Sequence, residues 1–259
     1  MKIGILYICT GKYEIFWKDF YLSCEKYFIP EAEKDYYVFT DAPHIEDEEK
    51  NQHIHKIYQE NLGWPENTLA RYAMFAKIIP DLEKYDFIFF FNANALFITE
   101  ISATEFLPSG NQTLVGALHP GFYHSPKNKL PFEQNPQSTA YLVATPESNY
   151  YQGAINGGIG KDFIRVIQTL KNNIEIDKKN TIIAKWHDES HWNKYLAGRN
   201  DVKVLLPSYL YPDGLHLPFE IKILMQDKNK FGGHDFIRGE KTTPVKKIKK
   251  IISKIIHRQ

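Results

Sequence analysis

The chain has 259 residues, 43% hydrophobic and 14% aromatic, enough to bury one sizeable core. Its 32 Lys and Arg against 31 Asp and Glu leave no basic surplus, so nothing in the totals points to nucleic acid as a partner. No apolar run reaches the roughly 18 residues of a membrane span, and the opening apolar run is too short for a secretion signal.

Lys2–Cys9 reads as a first strand, and Thr10, Gly11 and Lys12 turn the chain into a helix. The apolar stripe of that helix is Tyr13, Phe16, Trp17, Phe20, Tyr21, Cys24, Tyr27 and Phe28. Tyr36–Thr40 is a second strand, closed by Asp41, and His53–Tyr58 alternates as a third. Strand, helix and strand at this spacing make a βαβ unit that opens a parallel sheet. Cys9 and Cys24 fall in apolar patterns without metal-site spacing, which predicts buried free thiols in a reducing cytoplasm. Leu62–Pro65 is a breaker. The next helix, capped by Asn67 or Thr68, runs to about Leu82 with Arg71 in its first turn.

Phe87–Phe91, four of its five residues Phe, predicts a strand buried on both faces. It runs into Asn92-Ala93-Asn94. Ligands of open α/β sheets collect beyond the carboxyl ends of central strands, so this amide pair marks an expected substrate site; a turn explains the same asparagines. Leu114–Leu118 is another apolar run, leading to His119. Residues 124–137 read as loop and Ser138–Val143 as a strand. Tyr150–Gly158 holds three glycines, which suit either close approach of a ligand or a tight turn, and it opens a helix over 161–173. A further helix from near Asn180 carries Trp186–His191. Val202–Leu206 reads as the last strand, with irregular chain beyond it to about residue 240.

Seven of the Lys and Arg lie in residues 241–259, which contain no Asp or Glu. Val245, Ile248, Ile251, Ile252, Ile255 and Ile256 recur there at helical spacing. This is the pattern of a basic amphipathic helix in the surface of an anionic membrane; a solvated terminus is the other reading.

Three stretches could carry chemistry. Trp186–His191 concentrates two carboxylates and two imidazoles: His187 and His191 are four apart, as in a zinc pair, Asp188 and Glu189 suit a glycosyl centre, and acidic residues also favour helix N-termini. Tyr150–Gly158 is not a dinucleotide fingerprint. Lys228 and Lys230 with Arg238 form a cluster able to grip a diphosphate, or a solvated basic loop.

Taken in order, His119–Tyr123, Pro136–Tyr141, Tyr150–Ala154 with Gly157 and Gly158, Trp186–Ser190 with Asn193–Tyr195, and Ser208–Tyr211 resemble glycosyltransferase family 6. The resemblance also takes in Tyr36–Asp41 and covers residues 1–240, leaving 241–259 as a separate tail. The opening Ile5–Tyr13, with no anchor or stem before it, is similar to the bacterial members, which implies a cytoplasmic protein, peripheral on the inner membrane face if the tail binds there. The family implies a GT-A fold, one Rossmann-like α/β domain with a mostly parallel central sheet. It implies a retaining enzyme that moves Gal or GalNAc from a UDP-sugar, in α-1,3 linkage, onto a galactoside that often carries fucose. A module that binds UDP-sugar or glycan without catalysis is the alternative.

The resemblance also assigns residues. Glu189 aligns with the catalytic glutamate. Ile8, Cys9, Thr10 and Tyr13 fall where uridine lies, Arg71 near the donor sugar, and His187 and Asp188 where the sugars are positioned. His119, Thr139, Trp186 and Glu189 face the acceptor. Gln152, Gly153 and Ala154 match the segment tracking donor choice, where Ala at the last position tilts toward UDP-Gal. Animal members carry Asp-x-Asp for manganese where this chain has Asn92, Ala93 and Asn94. Amides are poor ligands for hard divalent cations, so metal-independent transfer is expected, with no cofactor and with Lys228, Lys230 and Arg238 replacing the ion.

Overall fold

The structure, a computed structural model, describes residues 1–239. The basic tail expected at 241–259 lies outside the described residues.

Ten strands and eight helices follow in chain order: β1 (Lys2–Ile8), α1 (Trp17–Tyr27), β2 (Glu33–Thr40), β3 (Ile54–Tyr58), α2 (Glu66–Leu69), α3 (Arg71–Ala76), α4 (Ile79–Leu82), β4 (Phe87–Phe91), β5 (Ala95–Phe97), α5 (Ala103–Phe106), β6 (Leu114–Leu118), β7 (Tyr151–Ile159), α6 (Gly160–Lys179), α7 (Asp188–Leu196), β8 (Val202–Leu205), β9 (Tyr211–Pro212), β10 (Ile223–Met225) and α8 (His234–Ile237). Seven strands form one sheet in the order β3-β2-β1-β4-β7-β6-β8, and β5-β10-β9 form a second. In the large sheet only β7 runs antiparallel to its neighbours. This is the GT-A-like, mostly parallel α/β architecture expected.

The Phe-rich strand sits at the centre, as its composition requires. Phe89 and Phe91 pack into the layer of α1, with Trp17, Phe20 and Phe28. Ile88 and Phe90 pack into the opposite layer, with Tyr72, Phe75, Phe163 and Trp192. The chain lays down β1, β2 and β3 outward on one side, then returns to place β4 on the other side of β1. That reversal leaves a crevice beyond the carboxyl ends of β1 and β4. Both cysteines are buried and free.

Several sequence expectations are corrected. The helix expected to Leu82 is three short pieces, and no side chain of Asn67 or Thr68 caps it; Pro65 occupies that position. Ser138–Val143 is not a strand: its one ladder contact is an isolated bridge from Tyr141 to Glu133. Val202–Leu205 is not the last strand, because β9 and β10 follow. The helix expected from Asn180 begins at Asp188, since Asn180 ends α6.

The glycine-rich stretch is not a tight turn but β7, wedged between β4 and β6. A Cβ on Gly157 would lie 2.2 Å from Phe89 Cδ1 and 2.3 Å from the Ile88 carbonyl. One on Gly158, where φ is 156°, would lie 2.2 Å from the Thr113 carbonyl. Contacts this short with backbone cannot relax by rotamer change. Gly157→Ala is therefore expected to destabilise the fold by about 3 kcal/mol or more, read as a fall in midpoint on denaturant titration; an unchanged midpoint would contradict the packing.

Candidate active site

Because β7 runs against β4, its first residues lie beside the last residues of β4. The Asn92 N–H donates to the Ala154 carbonyl at 2.8 Å. Gln152, Gly153 and Ala154 thereby join Ile8, Thr10 and Asn92 at the crevice. They line a cavity of about 220 Å³ together with Tyr13, Trp64, Asn67, Thr68, Arg71, Ala93, Glu189, Lys228 and Arg238.

Helix α7 supplies the carboxylates. His187, just before it, has φ 54°, an uncommon conformation for a residue with a Cβ. The turn it makes sets Asp188 and Glu189 into the first turn of α7. Glu189 Oε2 accepts from the Gly153 N–H at 2.8 Å, and Oε1 accepts from the Tyr150 hydroxyl at 2.7 Å. A Cβ on Gly153 would come within 3.2 Å of Glu189 Cβ, so a glycine there lets helix and strand approach. Asn193 ties the two elements: its side chain exchanges hydrogen bonds with the Tyr151 N–H and carbonyl and also donates to the Glu189 carbonyl. Burial raises the Glu189 carboxyl to about 7, opposed by the Gly153 and Tyr150 bonds and assisted by Asp188.

Arg71 and Asp188 form a buried ion pair at 2.7 Å. Arg71 Nη1 also donates to the Gly153 carbonyl at 2.6 Å, and the guanidinium lies 4.1 Å over the Phe90 ring. Burial pushes the Asp188 carboxyl up despite Arg71.

The distal cations reach the cavity by way of the second sheet. β10 pairs with β5, which directly follows the amide pair. Asn94 Nδ2 donates to the Gln226 carbonyl at 2.8 Å, and the Gln226 N–H returns a bond to the Asn94 carbonyl. Two residues on, the Lys228 ammonium lies 5.3 Å over the Tyr13 ring. Arg238 lies 4.9 Å over Trp64, whose edge meets His187 at 5.1 Å. Among the described residues neither Lys228 nor Arg238 has a carboxylate partner. Burial, with Arg238 adding to it, lowers Lys228 to about 8.

Other expected site residues lie elsewhere. Lys230 is not at the cavity; it pairs with Asp213 at 2.7 Å. The Cys9 thiol points into the core, where burial lifts it to about 12. Asn94 is buried behind Asn92. The Thr139 N–H donates to Asp177 at 2.8 Å and its hydroxyl to the Asn173 carbonyl, which fastens the loop before it to α6. His119 and Trp186 lie outside the cavity lining. His119 Nδ1 accepts from the Gly121 N–H, and burial holds the ring down at about 4, hence neutral. Trp186 is half-exposed. The zinc pair does not form: His191 faces Asp177 and Thr139, His187 faces Trp64, and neither belongs to a group of three metal-ligating side chains among the described residues. Trp64, Asn67, Thr68 and Tyr150 were not singled out as site residues from the sequence. Tyr150 stood in the glycine-rich stretch, but its hydroxyl contact depends on α7.

A manganese site in the manner of Asp-x-Asp does not fit this donor set. Asn94 Oδ1 already accepts from Asn92 Nδ2 at 3.0 Å and its Nδ2 is committed to Gln226. Both candidate metal clusters, Glu33 with Asp35 and His53, and His44 with Glu48 and Glu49, use other residues.

A cationic crevice at the carboxyl ends of a mostly parallel sheet, with a carboxylate in its wall, is consistent with a GT-A-like domain. The chain belongs to glycosyltransferase family 6, whose family model matches residues 1–238. It is 40% identical over 230 residues to the O-antigen biosynthesis glycosyltransferase WbnI of Escherichia coli, covering 89% of this chain and 96% of that protein. It is 29% identical to the globoside alpha-1,3-N-acetylgalactosaminyltransferase 1 of Gallus gallus, over 88% of this chain and 68% of the relative. It is also 29% identical to the histo-blood group ABO system transferase 2 of Rattus norvegicus, over 82% and 64% respectively. No helix among the described residues is long and apolar enough to cross a membrane.

Proposed function

We propose that this glycosyltransferase is a retaining α-1,3-hexosyltransferase that takes galactose, or N-acetylgalactosamine, from UDP to a fucosylated galactoside without a divalent metal. The observation that carries the reading is Glu189 in the wall of a cavity that also holds Lys228 and Arg238, two cations with no carboxylate partner among the described residues. The diphosphate bridges these cations, which balance the charge that grows on UDP as the glycosidic bond breaks. Ile8, Thr10 and Tyr13 wall the nucleoside end. Glu189 faces the anomeric carbon from the side opposite UDP, where a carboxylate bonds the carbon or balances its positive charge; either route retains configuration. The acceptor enters past His119 and Trp186.

We place the donor sugar against Ala154, which lines the cavity. Its methyl takes space from an acetamido group, a discrimination of about 1–3 kcal/mol, which favours UDP-Gal.

A screen of UDP-Gal and UDP-GalNAc against fucosylated and plain galactosides, with and without excess EDTA, tests this function. Turnover is expected to be equal in both conditions and fastest with UDP-Gal. Loss in EDTA, restored by Mn²⁺, would overturn the metal-independent reading.

We further propose that residues 241–259 hold the enzyme against an anionic membrane, since they combine seven Lys and Arg with six branched apolar residues. The full chain is expected to sediment with vesicles containing anionic lipid and to lose this when cut after residue 240; equal sedimentation of both forms would refute it.

A further inference from the structure

We propose that Tyr150 is a positioning residue for the transfer step: its hydroxyl holds and orients Glu189, and its ring ties that carboxylate to the wall around His119. This rests on the reading of Glu189 as the carboxylate that faces the transferred sugar.

Tyr150 is fixed at three points. Its carbonyl accepts from the His119 N–H at 2.9 Å, where β6 ends. Its ring is enclosed by Phe122, Phe132 and His119, with centroids 5.4, 5.5 and 5.8 Å away. Its hydroxyl then has one acceptor, Glu189 Oε1 at 2.7 Å. The ring is almost wholly buried, and burial together with Glu189 pushes the phenol pKa up, so the group stays protonated and donates.

Glu189 has one donor on each oxygen. The Gly153 N–H on Oε2 is backbone and belongs to any residue placed there. Tyr150 is the only side chain among the described residues that donates to the carboxylate. The other charged groups facing it are Asp188 beside it, Arg71 from α3, and Lys228 and Arg238 across the cavity. His119, on the far side of the Tyr150 ring, is neutral. A hydrogen bond to the ionised form stabilises that form. The Tyr150 hydroxyl therefore holds the Glu189 carboxyl down toward neutrality, against burial that pushes the other way, and aims the carboxylate toward the sugar.

Tyr150→Phe keeps the ring and removes only the donor. Turnover and KM for donor and acceptor are measured across the pH range on either side of neutrality, next to Glu189→Gln. The acid limb of the kcat profile of Tyr150→Phe is expected to move up by about one pH unit, with kcat at neutral pH lowered roughly tenfold and donor KM unchanged. Replacement of Tyr150 by meta-fluorotyrosine, a more acidic phenol of nearly equal size, is expected to move the limb down, and it serves if Tyr150→Phe does not fold. A limb that stays in place in the folded variant overturns the role of Tyr150. Retained turnover in Glu189→Gln overturns the assignment beneath it, and the inference with it; an inactive Glu189→Gln beside an unmoved Tyr150→Phe profile overturns the inference alone.

Discussion

Glu189→Gln is expected to lower turnover on the order of 10³-fold while UDP affinity stays within about twofold of wild type. The substitution preserves shape: the side-chain carbonyl still accepts from Tyr150 or the Gly153 N–H, and the helix start at Asp188 is untouched. What disappears is the negative charge that, in the proposed mechanism, faces the anomeric carbon when positive charge develops there. In the proposed function UDP meets Lys228 and Arg238 instead, so its binding is not expected to report on Glu189. Kinetics on both substrates, with UDP binding by calorimetry, separate the two effects. Near-normal turnover would remove Glu189 from the mechanism, and a matching loss of UDP affinity would show a collapsed site.

Lys228→Ala is expected to reduce kcat/KM by about 10²–10³-fold and to weaken UDP, with Arg238→Ala acting on the same step and the double variant falling short of the product of the two losses. Among the described residues no carboxylate pairs with either cation, so both are expected to meet an anion. The pH dependence follows from Lys228 being lowered to about 8 in the free protein by burial and by Arg238. Below that pH the ammonium is charged and UDP binds with full strength. A bound diphosphate raises the pKa, because it favours the charged form. Above about 8 the free protein must take up a proton to bind, and UDP affinity is expected to fall by up to tenfold per pH unit until the pKa of the complex is passed. Lys228→Arg, always charged, should flatten that limb. Affinity that does not change between neutral pH and mildly alkaline pH would show that Lys228 does not touch the phosphates.

Much of this enzyme could be read along its sequence. A run of four phenylalanines in Phe87–Phe91 can be buried only between two apolar layers, so it declared a central strand. The stripe from Tyr13 to Phe28 declared the helix over β1, although its first turn is a tighter 3₁₀ segment. The order of motifs from His119 to Tyr211 gave the family, because each motif occupies a fixed place in the chain. The amide pair, Glu189 and the basic residues near the C-terminus were visible for the same reason.

Other features depended on partners far away in the chain. Lys228 and Lys230 are chemically equal and two residues apart, yet one lines the cavity and the other is neutralised by Asp213, a residue of the turn after β9. Thr139 stands in a family motif, but Asp177 from α6 claims its backbone N–H. The glycines of β7 suited a ligand-facing loop or a turn equally well, because local propensity carries no record of how closely β4 and β6 approach. Sequence alone determined which residue types this protein owns and in what order, since side-chain chemistry and periodicity are local properties. Only the tertiary structure decided which of them meet: whether a charge is free or paired, and how strongly a carboxylate is buried, is set by the neighbours that folding brings against it.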